Sequence, residues 1–157
     1  MTSTRTGRCL CGKIQYELKG ESATPLYNTS KHASGTIHQS IVANHGFDQS
    51  AIALIAKEQA GFKVTAGSEY QKSYIDNATD SGTNLERVFC SNCGTKLFAY
   101  TPLFEPIVSV AAGTLDDFES WKPDTEQWCI HRANFVAKME VVENDRTFKR
   151  AARGEIE

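Results

Sequence analysis

The sequence predicts a single, mostly β domain pinned by a metal. Its candidate strands are short and rich in β-branched and aromatic residues, glycine and polar clusters separate them, and two close cysteine pairs punctuate the chain. With 157 residues, 40% of them hydrophobic, the chain is long enough to bury one real core. Residues 14–18 (Ile-Gln-Tyr-Glu-Leu) alternate apolar and polar, as a strand with one buried face should. Further strands are expected over residues 37–42, 51–56, 62–66, 68–75, 86–89, 96–100, 107–111 and 135–142. Helix signals are weak. Residues 115–118 are expected to form one turn after Thr114, and the tail from Asp145 to be helical or frayed. Residues 77–84, with Asp80, Ser81 and Gly82, read as an exposed loop bordering a pocket.

Charge excludes one class of function. The formal net charge is −2, and no basic run exceeds the short cluster of Lys149, Arg150 and Arg153, so the electrostatic footprint of a nucleic-acid binder is missing. The opening residues through Arg8 are polar, with two arginines and no apolar stretch behind them. That pattern predicts neither a signal peptide nor a membrane span, and hence a reduced, cytoplasmic setting. In that setting the glycosylation-type triplets Asn28-Thr29-Ser30 and Asn77-Ala78-Thr79 are chance matches. The partner expected is a small-molecule substrate or ligand, with no nucleic acid and no membrane; no feature specifies an oligomeric state.

Four cysteines carry most of the chemical information: Cys9 and Cys11 in Arg8-Cys9-Leu10-Cys11-Gly12, and Cys90 and Cys93 in Phe89-Cys90-Ser91-Asn92-Cys93-Gly94-Thr95. Soft thiolates suit zinc, and closely spaced sulfurs can occupy adjacent corners of a tetrahedron. A glycine after the second cysteine of each pair lets the backbone curl so that N–H groups point at sulfur. The competing arrangements are a disulfide framework or unrelated buried thiols, and the reduced setting disfavours disulfides. Four protein ligands leave no open position, so one zinc of structural kind is expected.

These residues also carry a resemblance. Gly7-Arg8-Cys9-Leu10-Cys11-Gly12-Lys13-Ile14-Gln15-Tyr16, then Arg87 through Phe98, then Ala111-Ala112-Gly113-Thr114-Leu115-Asp116-Asp117 resemble the glutathione-dependent formaldehyde-activating enzyme family, which also includes centromere protein V. The resemblance implies a fold of several coiled antiparallel sheets around a structural zinc, called a β-tent, and assigns Cys9, Cys11, Cys90 and Cys93 to that zinc.

The family's second motif is where the chain departs. Between the two structural pairs, members carry a cysteine-histidine-cysteine-x-x-cysteine cluster whose three thiols bind a catalytic zinc. Anchored on Ala33-Ser34-Gly35, those three positions fall here on Pro25, Tyr27 and Ser30, and no cysteine lies anywhere between Cys11 and Cys90. Proline cannot ligate, and neutral tyrosine and serine are poor zinc ligands, so no catalytic zinc is expected. A second departure is Glu126-Gln127-Trp128, where the family has a histidine-hydrophobic-aromatic step.

Around the vacated position lie Tyr27, Ser30, Lys31, His32 and His38. His32 or His38 could act as general acid or base near neutral pH, Tyr27 as proton donor, and Lys31 as a clamp for a carboxylate or phenolate. The bland alternative for each histidine is a solvated loop residue, and His45 in Asn44-His45-Gly46 reads as a turn residue. Cys129 and His131 would share one strand face; a metal pair there competes with a small core residue at Cys129. Three functions follow for comparison: a divergent enzyme doing metal-free acid–base chemistry of lyase, dehydratase or isomerase type, a non-catalytic binding or scaffold module, and a glutathione-dependent carbon–sulfur lyase.

Overall fold

The computed structural model describes residues 4–19, 24–28, 51–56, 61–79, 81–104, 107–120, 125–127, 129–131, 137–138, 140, 146–149 and 155–156. Among these residues ten strands form two sheets: β1 (Thr4–Arg8), β2 (Gln15–Lys19), β3 (Thr24–Asn28), β4 (Ala51–Ala56), β5 (Lys63–Ala66), β6 (Gln71–Asp76), β7 (Leu85–Cys90), β8 (Lys96–Tyr100), β9 (Ile107–Ala111) and β10 (Thr125–Gln127). The first sheet has the order β1-β2-β5; the second has seven strands in the order β10-β3-β4-β9-β8-β7-β6. All pairings are antiparallel except β10 with β3, which run parallel. Among the described residues there is no α-helix, only single turns of 3-10 helix. The expected mostly β fold class, coiled sheets with a cysteine cluster, is what the chain adopts.

Alternation puts the core where the two sheets meet. Val88, Phe98 and Val110 lie opposite one another across β7, β8 and β9, and all three are buried. From the first sheet, Ile14, Tyr16 and Leu18 enter the same core. Tyr16 meets Phe98 edge to face at 5.1 Å between ring centroids, and Phe62 meets Phe98 at 4.8 Å. Such tilted aromatic pairs add to the stabilisation from burial alone. The buried Tyr16 hydroxyl lies 2.6 Å from Thr114 Oγ1, which donates to the Ala111 carbonyl at 2.7 Å, so the phenol donates and both hydroxyls are satisfied.

A polar seam runs beside that core. Gly7 bridges to Leu115, Asp116 N–H donates to the Thr6 carbonyl at 2.9 Å, and the Asp116 carboxylate accepts from Thr6 Oγ1 at 2.7 Å. Arg5 pairs with Asp117 at 3.4 Å and Arg8 with Asp116 at 3.2 Å. The Gly113-Thr114-Leu115-Asp116 segment thus fastens β1 to the second sheet. One 3-10 turn falls on Ala112–Thr114, ahead of the position expected from sequence, and another on Phe118–Ser120.

Three strand expectations match β4, β8 and β9 at both ends, and three more match β2, β5 and β7 to within a residue. The 68–75 expectation divides into a 3-10 turn at Ser68–Tyr70 and β6, because the carbonyl of Ser68 captures the Gln71 N–H before pairing with β7 begins. Of 135–142, the described residues Ala137, Lys138 and Glu140 lie in no strand. The 37–42 segment lies outside the described residues. β1, β3 and β10 were not foreseen; each is polar or very short, and the neighbouring strand supplies the order. Among the described tail residues, Arg146 is in a 3-10 turn, Thr147 bridges to Glu126 and Phe148 to Ile156. Cys129–His131 is a 3-10 turn, so the expected shared strand face does not exist there, and Cys129 is buried.

Two outcomes test this packing. Phe98→Ala should cost about 3 to 5 kcal/mol through loss of the ring at the centre of the aromatic cluster, whereas Tyr16→Phe should cost only about 1 kcal/mol, both read from denaturant midpoints. Burial, with Arg87 nearby, pulls the Lys96 ammonium down to about 8 from 10.5. Between those values the folded state holds fewer protons than the unfolded, so stability should rise with pH from about 8 towards 10.5, by roughly 3 kcal/mol at most. Below pH 8 both states are protonated and the burial cost is at its full value. Lys96→Met should remove the rise.

Candidate metal centre and the vacated second site

Both cysteine pairs sit on hairpin loops, one from each sheet. Cys9 and Cys11 lie in the turn joining β1 to β2, and Cys90 and Cys93 at the turn joining β7 to β8. The loops copy each other's bonding. Cys9 N–H donates to the Ile14 carbonyl at 3.0 Å and Cys90 N–H to the Thr95 carbonyl at 2.9 Å. Gly12 N–H turns back to the Cys9 carbonyl at 2.9 Å and Gly94 N–H to the Cys90 carbonyl at 2.8 Å. Gly12 at φ 73° and Gly94 at φ 74° occupy the left-handed region, where a side chain would be strained. This is why each pair is followed by glycine.

The two loops converge so that all four Sγ atoms lie within 4.8 Å of one another. Cys9 and Cys11 sulfurs are 3.4 Å apart and those of Cys11 and Cys90 are 3.8 Å apart. A tetrahedron of sulfurs about 2.3 Å from a central ion has edges of about 3.8 Å, so the donor set and its spacing fit a metal ion. Cys9 and Cys90 are buried and Cys11 is exposed, and among the described residues no other group of potential metal ligands gathers in this way.

The surroundings favour sulfur as thiolate at two corners. A hydrogen bond from the Lys13 backbone lowers the Cys11 pKa against the opposing effect of burial, with help from Asn92. At Cys93 burial works against ionisation, yet the Thr95 hydroxyl and the Thr95 and Cys11 backbone bring it to about 6. Burial pushes the Cys90 thiol up to about 12, so its proton would leave only as a cation arrives. Ile14 N–H also points at Cys9 Sγ, at 3.3 Å.

Thr95 is the functional residue that sequence reasoning passed over. Its hydroxyl, 2% exposed as a residue, accepts from Leu10 N–H at 3.2 Å and therefore has its own hydrogen for Cys93 Sγ, 3.2 Å away. One side chain so ties the first loop to a ligand of the second. Lys13 makes the other tie: its Nζ donates to Asn92 Oδ1 at 3.2 Å and stands 4.3 Å from the centre of the Tyr70 ring. The only signal in sequence was a hydroxyl two residues beyond the last cysteine. Beside the first pair, a surface concavity of about 380 Å³ is lined by Arg8 to Gly12 and Gly113 to Asp116.

With fold and thiol site in view, the comparisons are decisive on one point. The family model described as glutathione-dependent formaldehyde-activating enzyme matches residues 4–131. The chain belongs to that family. No curated protein matches it significantly. Among solved structures, the crystal structure of a Rhodobacter sphaeroides protein, a structural genomics target, is similar with a TM-score of 0.49 and 17% identity, covering 71% of this chain and 88% of that one.

No cysteine lies between the two pairs. Pro25 and Tyr27 lie on β3, between β4 and β10. Lys31, His32 and His38, and with them Ser30 and His45, lie outside the described residues, so their grouping with Tyr27 rests on sequence proximity. The structure adds one neighbour. In the parallel β10–β3 register Glu126 stands opposite Tyr27. Glu126 is 0% exposed. It is the first residue of the departure at Glu126-Gln127-Trp128, so sequence marked the place without revealing its neighbour. No helix among the described residues is long and apolar enough to cross a membrane.

The tie between loops has a measurable consequence. Thr95→Val should weaken metal binding by about 10- to 100-fold, measured by competition with a chromogenic chelator, because the hydrogen bond to Cys93 and the acceptor for Leu10 N–H vanish together. An unchanged affinity would mean that Thr95 only fills space.

Proposed function

We propose that this chain is a zinc-stabilised enzyme acting on a small organic molecule by metal-free acid–base chemistry, of lyase, dehydratase or isomerase type. Cys9, Cys11, Cys90 and Cys93 hold the zinc, which supplies stability rather than catalysis because four protein ligands close its coordination shell. The observation that supports acid–base work at the second site is the register of Glu126 opposite Tyr27. A carboxylate with no solvent exposure keeps its charge only where the fold compensates it, and the register sets Tyr27 on the neighbouring strand. In this scheme Tyr27 donates a proton to substrate, His32 or His38 removes one, and Lys31 fixes an anionic group of the substrate. Glu126, with no solvent exposure, is the positioning residue in this scheme.

A binding or scaffold module that kept the fold is the second reading, favoured by the loss of all three thiols of the family's second cluster. Glutathione-dependent carbon–sulfur lyase activity is a weaker third, since nothing at Pro25, Tyr27 or Ser30 replaces the metal that would activate a thiol.

Metal content separates the schemes first. Protein purified without chelator or added zinc should carry one zinc per chain by elemental mass spectrometry; two would mean a rebuilt second centre and would overturn metal-free chemistry. Once a substrate is found, His32→Ala and Tyr27→Phe should each lower kcat at least a hundredfold while moving Tm by no more than a degree or two. Full activity in both variants would remove these residues from the mechanism, and saturable glutathione binding seen by calorimetry would revive the third scheme.

A further inference from the structure

The seven-stranded sheet ends on β6, and among the described residues no strand pairs with its outer edge. The direction of the free backbone groups follows from its inner edge. Ser91 N–H donates to the Tyr70 carbonyl at 2.8 Å, which makes Tyr70 and Ser91 a hydrogen-bonded pair, and the β6–β7 register continues without a shift to Asp76. Antiparallel pairing alternates, so Lys72, Tyr74 and Asp76 turn their N–H and C=O groups to β7 while Ser73 and Ile75 turn theirs outward. The Gln71 N–H is already held by the Ser68 carbonyl. On this edge Tyr74 is 62% and Ile75 47% exposed, an unusual display for an open strand.

We propose that β6 pairs antiparallel with β6 of a second copy of the chain about a two-fold axis through Tyr74, joining two seven-stranded sheets edge to edge. Only registers that set outward residues against outward residues can form bonds, which leaves two centred near the middle of the strand. One, centred on Ser73, would set Gln71 against Ile75 and would need the Gln71 N–H that Ser68 holds. The other, centred on Tyr74, sets Ser73 against Ile75 twice. Each Ser73 N–H then donates to the second copy's Ile75 carbonyl, and each Ile75 N–H to the second copy's Ser73 carbonyl.

The same register is complementary in charge. It brings Lys72 opposite the second copy's Asp76 on both sides of the axis, in non-hydrogen-bonded positions where side chains approach most closely. Asp76 already binds Arg87 through Oδ2, at 3.0 Å from Nε and 2.7 Å from Nη2, while its Oδ1 accepts from Ala78 N–H at 3.1 Å. A lysine on an edge strand ordinarily discourages pairing; here the register gives it an opposite charge. The two Tyr74 rings meet at the axis and cover surface that each monomer leaves exposed.

Sedimentation of the full, metal-loaded chain over a concentration series tests this directly, with a dimer expected. Ser73→Pro deletes an outward N–H and leaves the β6–β7 bonds intact, so it should yield a monomer with little change in Tm. Lys72→Glu should raise the dimer dissociation constant by about tenfold or more by placing like charges opposite each other. Tyr74→Cys should form a covalent dimer under mild oxidation and Lys72→Cys should not, which reads the register even if the proline variant fails to fold. A monomeric wild-type protein, a dimer indifferent to both Ser73→Pro and Lys72→Glu, or cross-linking at Lys72→Cys in preference to Tyr74→Cys would each overturn the pairing.

Discussion

The four sulfurs at the meeting point of two hairpin loops are the constraint on which the remainder of the structure depends. One loop belongs to the three-stranded sheet and the other to the seven-stranded sheet, and 79 residues separate Cys11 from Cys90. Closing so long a segment is entropically expensive, and weak contacts at exposed loop tips cannot offset it. A metal bound by thiolates can, since its binding energy becomes folding energy. The hydrogen bonds about the sulfurs, from Ile14 N–H, from Thr95 and across Lys13 and Asn92, then hold the loops in the one arrangement that suits four ligands.

Away from the sulfurs, the sheets are joined by a second fastening of different chemistry. The segment from Ala112 to Asp117 packs Ala112 and Leu115 into the common core, buries the Thr114 hydroxyl under Tyr16 and presents two aspartates to Arg5 and Arg8. Apolar burial supplies the larger share of the stabilisation here, because the ion pairs are partly solvated and worth little singly. Their value is directional: the Thr6 and Asp116 bonds set where β1 ends and so where Cys9 begins its turn.

In the stretch between the two cysteine pairs, fold and site chemistry rest on different properties of the chain. β3 pairs with β4 and β10 although it carries proline and tyrosine and no thiol. Strand pairing is a backbone property and survives such exchanges, whereas metal binding is a side-chain property and does not. Family membership therefore speaks for the architecture, and activity has to be argued from Tyr27, Glu126 and their surroundings.

Much of this was legible in the amino-acid order alone. Cysteine spacing with trailing glycines marked the metal loops because only glycine tolerates the left-handed turn needed beside sulfur. Alternation located β2, whose buried Tyr16 and Leu18 fall two residues apart, and short runs rich in β-branched and aromatic residues located β4, β5, β7, β8 and β9. β1, β3 and β10 escaped notice since partners impose their extended form, and periodicity was too weak to announce it. The turn at Cys129–His131 was misread as strand for the converse reason, an apolar run without a ladder to join. What only the tertiary structure decided was proximity between distant segments: Thr95 beside Leu10, Glu126 in register with Tyr27, and β6 at the sheet's edge with two backbone positions facing outward. Residue types and local spacing specify which chemistry a chain can do, but which groups meet depends on strand order, and strand order is set by the whole core at once.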